Sequence, residues 1–196
     1  MPNTNIIPGS MTKSFLLIDT IPEEIALGDT IRFGLSTGEH ITAKAMRQEA
    51  DGMLFVFVDC LNKEYPMNRT RTNKGGYRES DLRKVLNTEI LDTFPNFIKS
   101  RMKPVYEDDR LRLLTAMEVF GENPYGDEDN GERISFMENI RDRIAFQGDG
   151  TSRWEWYWLQ NVVKDSAAYF AHCGAHGLAD FNDASSVLGV RPAFKI

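Results

Sequence analysis

The hydrophobic pattern changes period twice along the chain. Over the first sixty residues the apolar positions come in short blocks or alternate, as strands require. Residues 14–19 (SFLLID) form a short apolar run and predict a buried strand. Thr30-Ile31-Arg32-Phe33-Gly34 alternates and is bounded by glycines, which predicts a half-buried strand, and residues 40–47 predict a further one. Residues 52–60 (GMLFVFVDC) are the densest in β-branched and aromatic side chains and predict the strongest strand. The period then becomes helical. Leu82, Val85, Leu86, Ile90 and Leu91 form one apolar stripe behind a Ser80 N-cap and an Asp81 in the first turn. Pro95 interrupts it, and residues 96–103 predict a second short helix before Pro104. Residues 110–115 (RLRLLT) predict a strand and residues 116–120 a helical turn. Ile134, Met137, Ile140 and Ile144 predict a helix over 132–144. Strands return in residues 153–159, where Trp154, Trp156 and Trp158 share one face and Glu155, Tyr157 and Leu159 the other. The remainder reads as short strands and turns, with loops at 65–77, 121–131 and 147–152.

Strands first, helices in the middle and short strands last imply an α+β fold, not alternating βαβ units. The polar residues 1–13 read as a flexible arm and residues 14–196 as one domain. At 196 residues, 41% hydrophobic and 27% charged, the chain can bury a core without staples. Its net charge of -6 makes it a poor fit for nucleic acid. There is no apolar run of membrane-spanning length. The N-terminus has no basic start followed by an apolar core, so synthesis in the cytoplasm without a signal peptide is expected. Cys60 and Cys173 are expected to be free, buried thiols.

The chemistry-bearing residues concentrate in residues 165–183. Asp165, Tyr169, His172, His176, Asp180, Phe181, Asn182 and Asp183 stand among glycines in a turn-rich context. Amphipathic aromatics and short polar groups of this kind offer contact area at low entropy cost, so these eight are the candidate ligand-binding residues. Of the adjacent Tyr169 and Phe170, Phe170 is expected inside. His172, Cys173, His176 and Asp180 invite a zinc reading, but their spacing matches no common zinc pattern. A Cys–His nucleophilic pair lacks a legible orienting group. Residues 127–132 resemble a calcium loop in composition, without the closing glutamate of an EF-hand. No metal or other cofactor is therefore expected, calcium being the one ion the composition leaves open. Core packing is the expected role of most of the tryptophan face, with a sugar-stacking platform as the sharper alternative. Arg191 is expected to be structural, and Arg69, Arg71 and Lys74 to form a solvated loop.

Several segments, taken in order, carry a resemblance. Leu27-Gly28-Asp29-Thr30-Ile31-Arg32-Phe33-Gly34 resembles a "GDxVxFG" strand, and Tyr65-Pro66-Met67-Asn68 a "YN" step. Ser80-Asp81-Leu82-Arg83-Lys84-Val85-Leu86-Asn87 is similar to "SxLRxWLN", with Val85 in place of Trp. Arg112-Leu113-Leu114-Thr115-Ala116-Met117-Glu118-Val119 is similar to "FLLSxxEV". Trp156-Tyr157-Trp158-Leu159 is similar to "WWLR", and Gly189–Phe194 to "GVRPAF". Together they resemble a bacterial and phage domain family of unknown function, related to the C-type-lectin-like fold in its formylglycine-generating-enzyme-like branch. That branch includes the variable proteins of diversity-generating retroelements. The resemblance implies a C-type-lectin-like α+β domain in which Trp154, Trp156, Trp158 and Arg191 are scaffold and residues 165–183 face the ligand. Gln160-Asn161 departs from the family's Arg-Ser. Only Cys173 lies where the enzymatic members carry a cysteine pair, so oxidase chemistry is not implied.

The resulting expectation is a non-enzymatic module that recognises a glycan or protein, as a receptor-binding component of a phage or prophage virion facing a bacterial host surface. A second copy of the chain or a virion neighbour is left open as a further partner. The alternatives are a structural virion or assembly protein whose N-terminal arm docks on a neighbouring subunit, and an enzyme of the formylglycine-generating type.

Overall fold

A computed structural model describes residues 17–127 and 131–196. The arm expected over 1–13 and part of the first expected strand lie outside the described residues. Residues 17–19 are not a strand, although Ile18 donates its N–H to the Arg32 carbonyl at 2.7 Å.

The chain is mixed helix and strand. In chain order the strands are β1 (Thr30–Gly34), β2 (His40–Glu49), β3 (Gly52–Phe57), β4 (Tyr65–Pro66), β5 (Ala145–Phe146), β6 (Trp154–Glu155), β7 (Tyr157–Val162), β8 (Tyr169–Cys173), β9 (Ala179–Asp183), β10 (Val187–Leu188) and β11 (Ala193–Lys195). The helices are α1 (Gly76–Glu79), α2 (Asp81–Val85), α3 (Asn96–Lys99), α4 (Ala116–Phe120) and α5 (Ile140–Arg143). A π-helical turn, Leu86–Ile90, prolongs α2. The main sheet has the antiparallel order β1-β2-β3-β11, so the C-terminal strand closes the N-terminal sheet. A second antiparallel sheet is β7-β8-β9.

The main sheet divides the core. On one side Phe33, Phe55, Phe57 and Phe194 pack against Leu82, Leu86, Ile90, Phe94 and Ile98. On the other Leu54, Val56 and Ala193 pack against Leu114, Val119, Tyr157, Leu159 and Cys173. β3 is buried on both faces, which is why its apolar residues run without alternation. Ser80 caps α2 by accepting the Arg83 N–H at 3.1 Å, so the helical stripe read from sequence has its start and its buried face where expected.

Three expected elements change form. Residues 110–115 are not a strand; only Arg112 pairs there, with Ala193. Side chains take the backbone groups a ladder would use. Asn87 Oδ1 accepts the Arg110 and Leu111 N–H groups, Tyr77 Oη accepts Leu113 N–H at 3.2 Å, and Gln160 donates to the Leu113 carbonyl. The helix expected over 132–144 breaks into a 3-10 turn, Ser135–Met137, and α5, because Asn139 between them is extended. Ile134 and Met137 are buried but Ile140 is exposed, so the apolar stripe continues in sequence and not in space. The strand expected over 153–159 divides at Trp156. β6 pairs with β5 and β7 with β8, while the Trp156 carbonyl accepts the Gly189 N–H at 2.8 Å. A Cβ on Gly189 would meet that oxygen at 2.8 Å and the Cys60 sulfur at 2.9 Å, so only glycine allows this approach.

Candidate functional site

The β7-β8-β9 sheet carries most of the residues singled out by sequence, and its register divides them. Opposed residues of an antiparallel pair share a face. Tyr169 opposes Asp183, Ala171 opposes Phe181, and Cys173 opposes Ala179 and Tyr157. On the other face Phe170 opposes Asn182, and His172 opposes both Asp180 and Trp158. The candidate residues therefore do not form one surface.

On the first face, Phe181 stands 5.2 Å from the Tyr125 ring and 5.3 Å from the Tyr169 ring. Tyr125 reaches the site from the loop after α4 and is anchored by its hydroxyl to the Ala179 carbonyl at 2.9 Å. Arg71 lies over the Tyr169 ring at 5.7 Å, donates to its hydroxyl at 3.0 Å, and pairs with Asp183. Partial desolvation raises the Asp183 carboxyl, but Ser185 and Arg71 outweigh it and hold it below its ordinary value. Phe181 and the Arg71 side chain remain open to solvent. Arg71 lies in a solvent-exposed loop, as read, but its side chain is also held by two of the candidate residues. Asp165 is exposed at a turn with φ 61° before β8.

On the second face the aromatic residues form a row that runs from surface to core. Trp158 is fully buried and donates its indole N–H to the Tyr65 carbonyl at 2.8 Å. It stands edge-on to Phe170 and to His172. Trp156 stacks flat on His172, with centroids 5.4 Å apart, and Trp154 stands edge-on to His176 at 5.3 Å. Trp156 and Trp158 both meet His172, but core packing holds for Trp158 alone: Trp154 is 51% and Trp156 46% exposed. His172 is correspondingly no contact residue. It is buried beneath Trp156, burial pushes its imidazole down from its ordinary value, and its Nδ1 has no hydrogen-bond partner among the described residues. Asn182 Oδ1 accepts the Asp183 N–H and the Ser186 hydroxyl, fixing the end of β9. Asp180 is exposed and accepts the Phe181 N–H.

Arg191 is buried and built into the fold. Its Nε donates to the Phe57 carbonyl at 2.8 Å, and its Nη1 to the Arg143 carbonyl and the Tyr157 hydroxyl. Comparison with family models, curated proteins and solved structures returns no match.

The zinc and Cys–His readings fail on geometry. His172 and Cys173 point to opposite faces of β8, and His176 is turned against Trp154. Cys60 and Cys173 are free and buried, and burial raises both thiols. Among the described residues no group of three or more His, Cys, Asp or Glu side chains could hold a metal ion. The acidic segment read as a calcium loop falls partly outside the described residues. Among the described residues no helix is long and apolar enough to cross a membrane. Sequence reasoning missed Tyr125, whose one signal was a lone aromatic in a loop of Gly, Asn and acids.

Proposed function

We propose that this chain is a non-enzymatic recognition module, and that a glycan or protein ligand docks on the face made by Tyr125, Tyr169, Phe181, Arg71 and Asp183. The observation that carries the reading is that an exposed phenylalanine is held between two tyrosines beside an ordered Arg–Asp pair. Such a face offers rigid apolar area and directional polar groups together, as recognition surfaces do. The buried thiols, raised by desolvation, favour binding over nucleophilic chemistry. A C-type-lectin-like architecture is part of the proposal, supported by the pairing of β11 with β3 and by the buried Arg191 of the "GVRPAF" segment. The sequence resemblance extends the proposal to a phage or prophage particle whose target is a bacterial host surface.

The test is binding to a printed array of bacterial surface saccharides and to intact cells of a bacterial panel. The Tyr169→Ala, Phe181→Ala double variant should fold and lose the binding that survives in Trp156→Ala. Retention within about twofold, a difference of only about 0.4 kcal/mol, would exclude this face.

A further inference from the structure

We infer that Trp154, on β6, and Trp156, which stacks on His172 of the β7-β8-β9 sheet, form a second, independent site, a stacking platform for a neutral, equatorially substituted oligosaccharide. Two indoles are about half open to solvent at alternate positions of one extended segment. An extended chain sets such side chains roughly 6.6 Å apart along the backbone, the length scale of neighbouring sugar units.

Both rings are held before any ligand arrives. Trp156 lies flat on the buried His172, at 10° from parallel, and its backbone is pinned by Glu155 Oε1 on its N–H and by Gly189 on its carbonyl. Trp154 is braced by His176, and its strand pairs with β5 through Phe146. A fixed aromatic surface loses little entropy on binding. It presents the flat π-face that the axial C–H groups of a β-linked gluco-configured pyranose can cover.

The border chooses the class. His176 contacts Trp154, and Asp180 lies across the β8–β9 pair from His172; both are exposed and can bond to hydroxyl groups. A carboxylate at the border of a chain of net charge -6 disfavours anionic glycans and favours neutral ones. A purely apolar partner face would leave these polar groups unpaired, whereas a sugar offers C–H faces and hydroxyls at once.

The three tryptophans supply the test, since each gives one indole N–H signal in a proton–nitrogen correlation spectrum. Assignment follows from Trp154→Phe and Trp156→Phe. The full chain is titrated separately with cellotetraose, chitotetraose and the α-linked maltotetraose. The Trp154 and Trp156 signals should move with at least one β-linked probe, at least about fivefold more tightly than with maltotetraose, a gap of about 1 kcal/mol. The Trp158 signal should stay in place. Trp156→Ala should weaken binding at least about tenfold. Trp154→Ala provides the same reading should Trp156→Ala fail to fold. Tyr169→Ala with Phe181→Ala should leave the sugar response intact, so failure of one site is distinguishable from failure of the other.

Stationary indole signals with every probe at about 20 mM, which would saturate a site of about 1 mM, overturn the inference. Movement with protein concentration alone assigns the face to contacts between copies and also overturns it. So does a difference, without sugar, between the full chain and one lacking residues 1–13, which assigns the face to the chain's own N-terminal segment.

Discussion

Trp156 lies flat on His172, with the ring centroids 5.4 Å apart and the planes 10° from parallel. The indole thus shields an imidazole that Trp158 also meets, edge-on. His172 is folded in as an aromatic filler, and its folded-state pKa is depressed by burial. A depressed histidine contributes stability fully above its unfolded value of about 6.5. That contribution is lost as the pH falls towards the folded value, because only the unfolded chain then takes up the proton readily. Urea midpoints measured between pH 7.5 and 5 should therefore fall more steeply for the native chain than for His172→Phe. The phenylalanine keeps a ring of similar shape and removes the unpartnered Nδ1. Parallel slopes would show that His172 takes no part in the acid response.

Trp158 and Trp154 should separate in stability. Trp158→Ala removes a fully buried side chain and its hydrogen bond to the Tyr65 carbonyl, and should cost about 3–5 kcal/mol. Trp154→Ala acts at a largely exposed ring and should stay near about 0.5 kcal/mol. Equal losses in chemical denaturation would contradict the surface-to-core gradient of the aromatic row.

That gradient also marks where sequence reasoning ran out. Alternation put Trp156 and Trp158 against the same imidazole, His172, since it follows from backbone geometry alone. It carried no information on which of the tryptophans is covered, because the cover is distant: Tyr65 accepts from Trp158, while Gly189 meets the Trp156 backbone. The Ser80-capped helix and β1 to β3 were legible because their signals are local. The strand expected over 110–115 was not, because Asn87, Tyr77 and Gln160 take its backbone groups from up to 47 residues away. The candidate segment was found as a stretch of chain. Its division over two faces depends on the β8–β9 register, and its Arg71 and Tyr125 members come from loops with no periodicity to mark them.

The buried Arg112–Glu118 pair should behave as a single unit. Two bonds of 2.6 and 2.7 Å join the residues, and Arg47 adds a third to the same carboxylate at 2.8 Å. Glu118 also closes a capping box with Thr115 at the start of α4. Burial raises the Glu118 carboxyl, but Arg112 and Arg47 outweigh it and hold it below its ordinary value of 4.5. Its stabilising contribution is therefore present above pH 4.5 and lost as the pH falls through the lower, folded value. Glu118→Ala leaves Arg112 buried without this partner and should cost about 3–5 kcal/mol. Glu118→Gln should flatten the acid limb of the stability profile. An acid limb unchanged in Glu118→Gln would mean that the pair is not formed in solution.

Arg71 should be coupled to Tyr169, and the neighbouring Arg69 and Lys74 should not be. The Arg71 guanidinium covers the Tyr169 ring, donates to its hydroxyl and pairs with Asp183. The adjacent Arg69 and Lys74 use their backbone amides on Asp81 and Thr72, away from that cluster. An exposed cation–π contact contributes about 0.5–1 kcal/mol, so a stability cycle of Arg71→Ala and Tyr169→Leu should be non-additive by about that amount. A cycle of Lys74→Ala and Tyr169→Leu should add. The same asymmetry should extend to ligand binding: Arg71→Ala should weaken the docking of any ligand that needs Tyr169, whereas Arg69→Ala and Lys74→Ala should leave it unchanged. Additivity in the Arg71 cycle, together with unchanged binding by Arg71→Ala, would remove Arg71 from the site and leave the half-buried Tyr169 and the exposed Phe181 to hold the ligand.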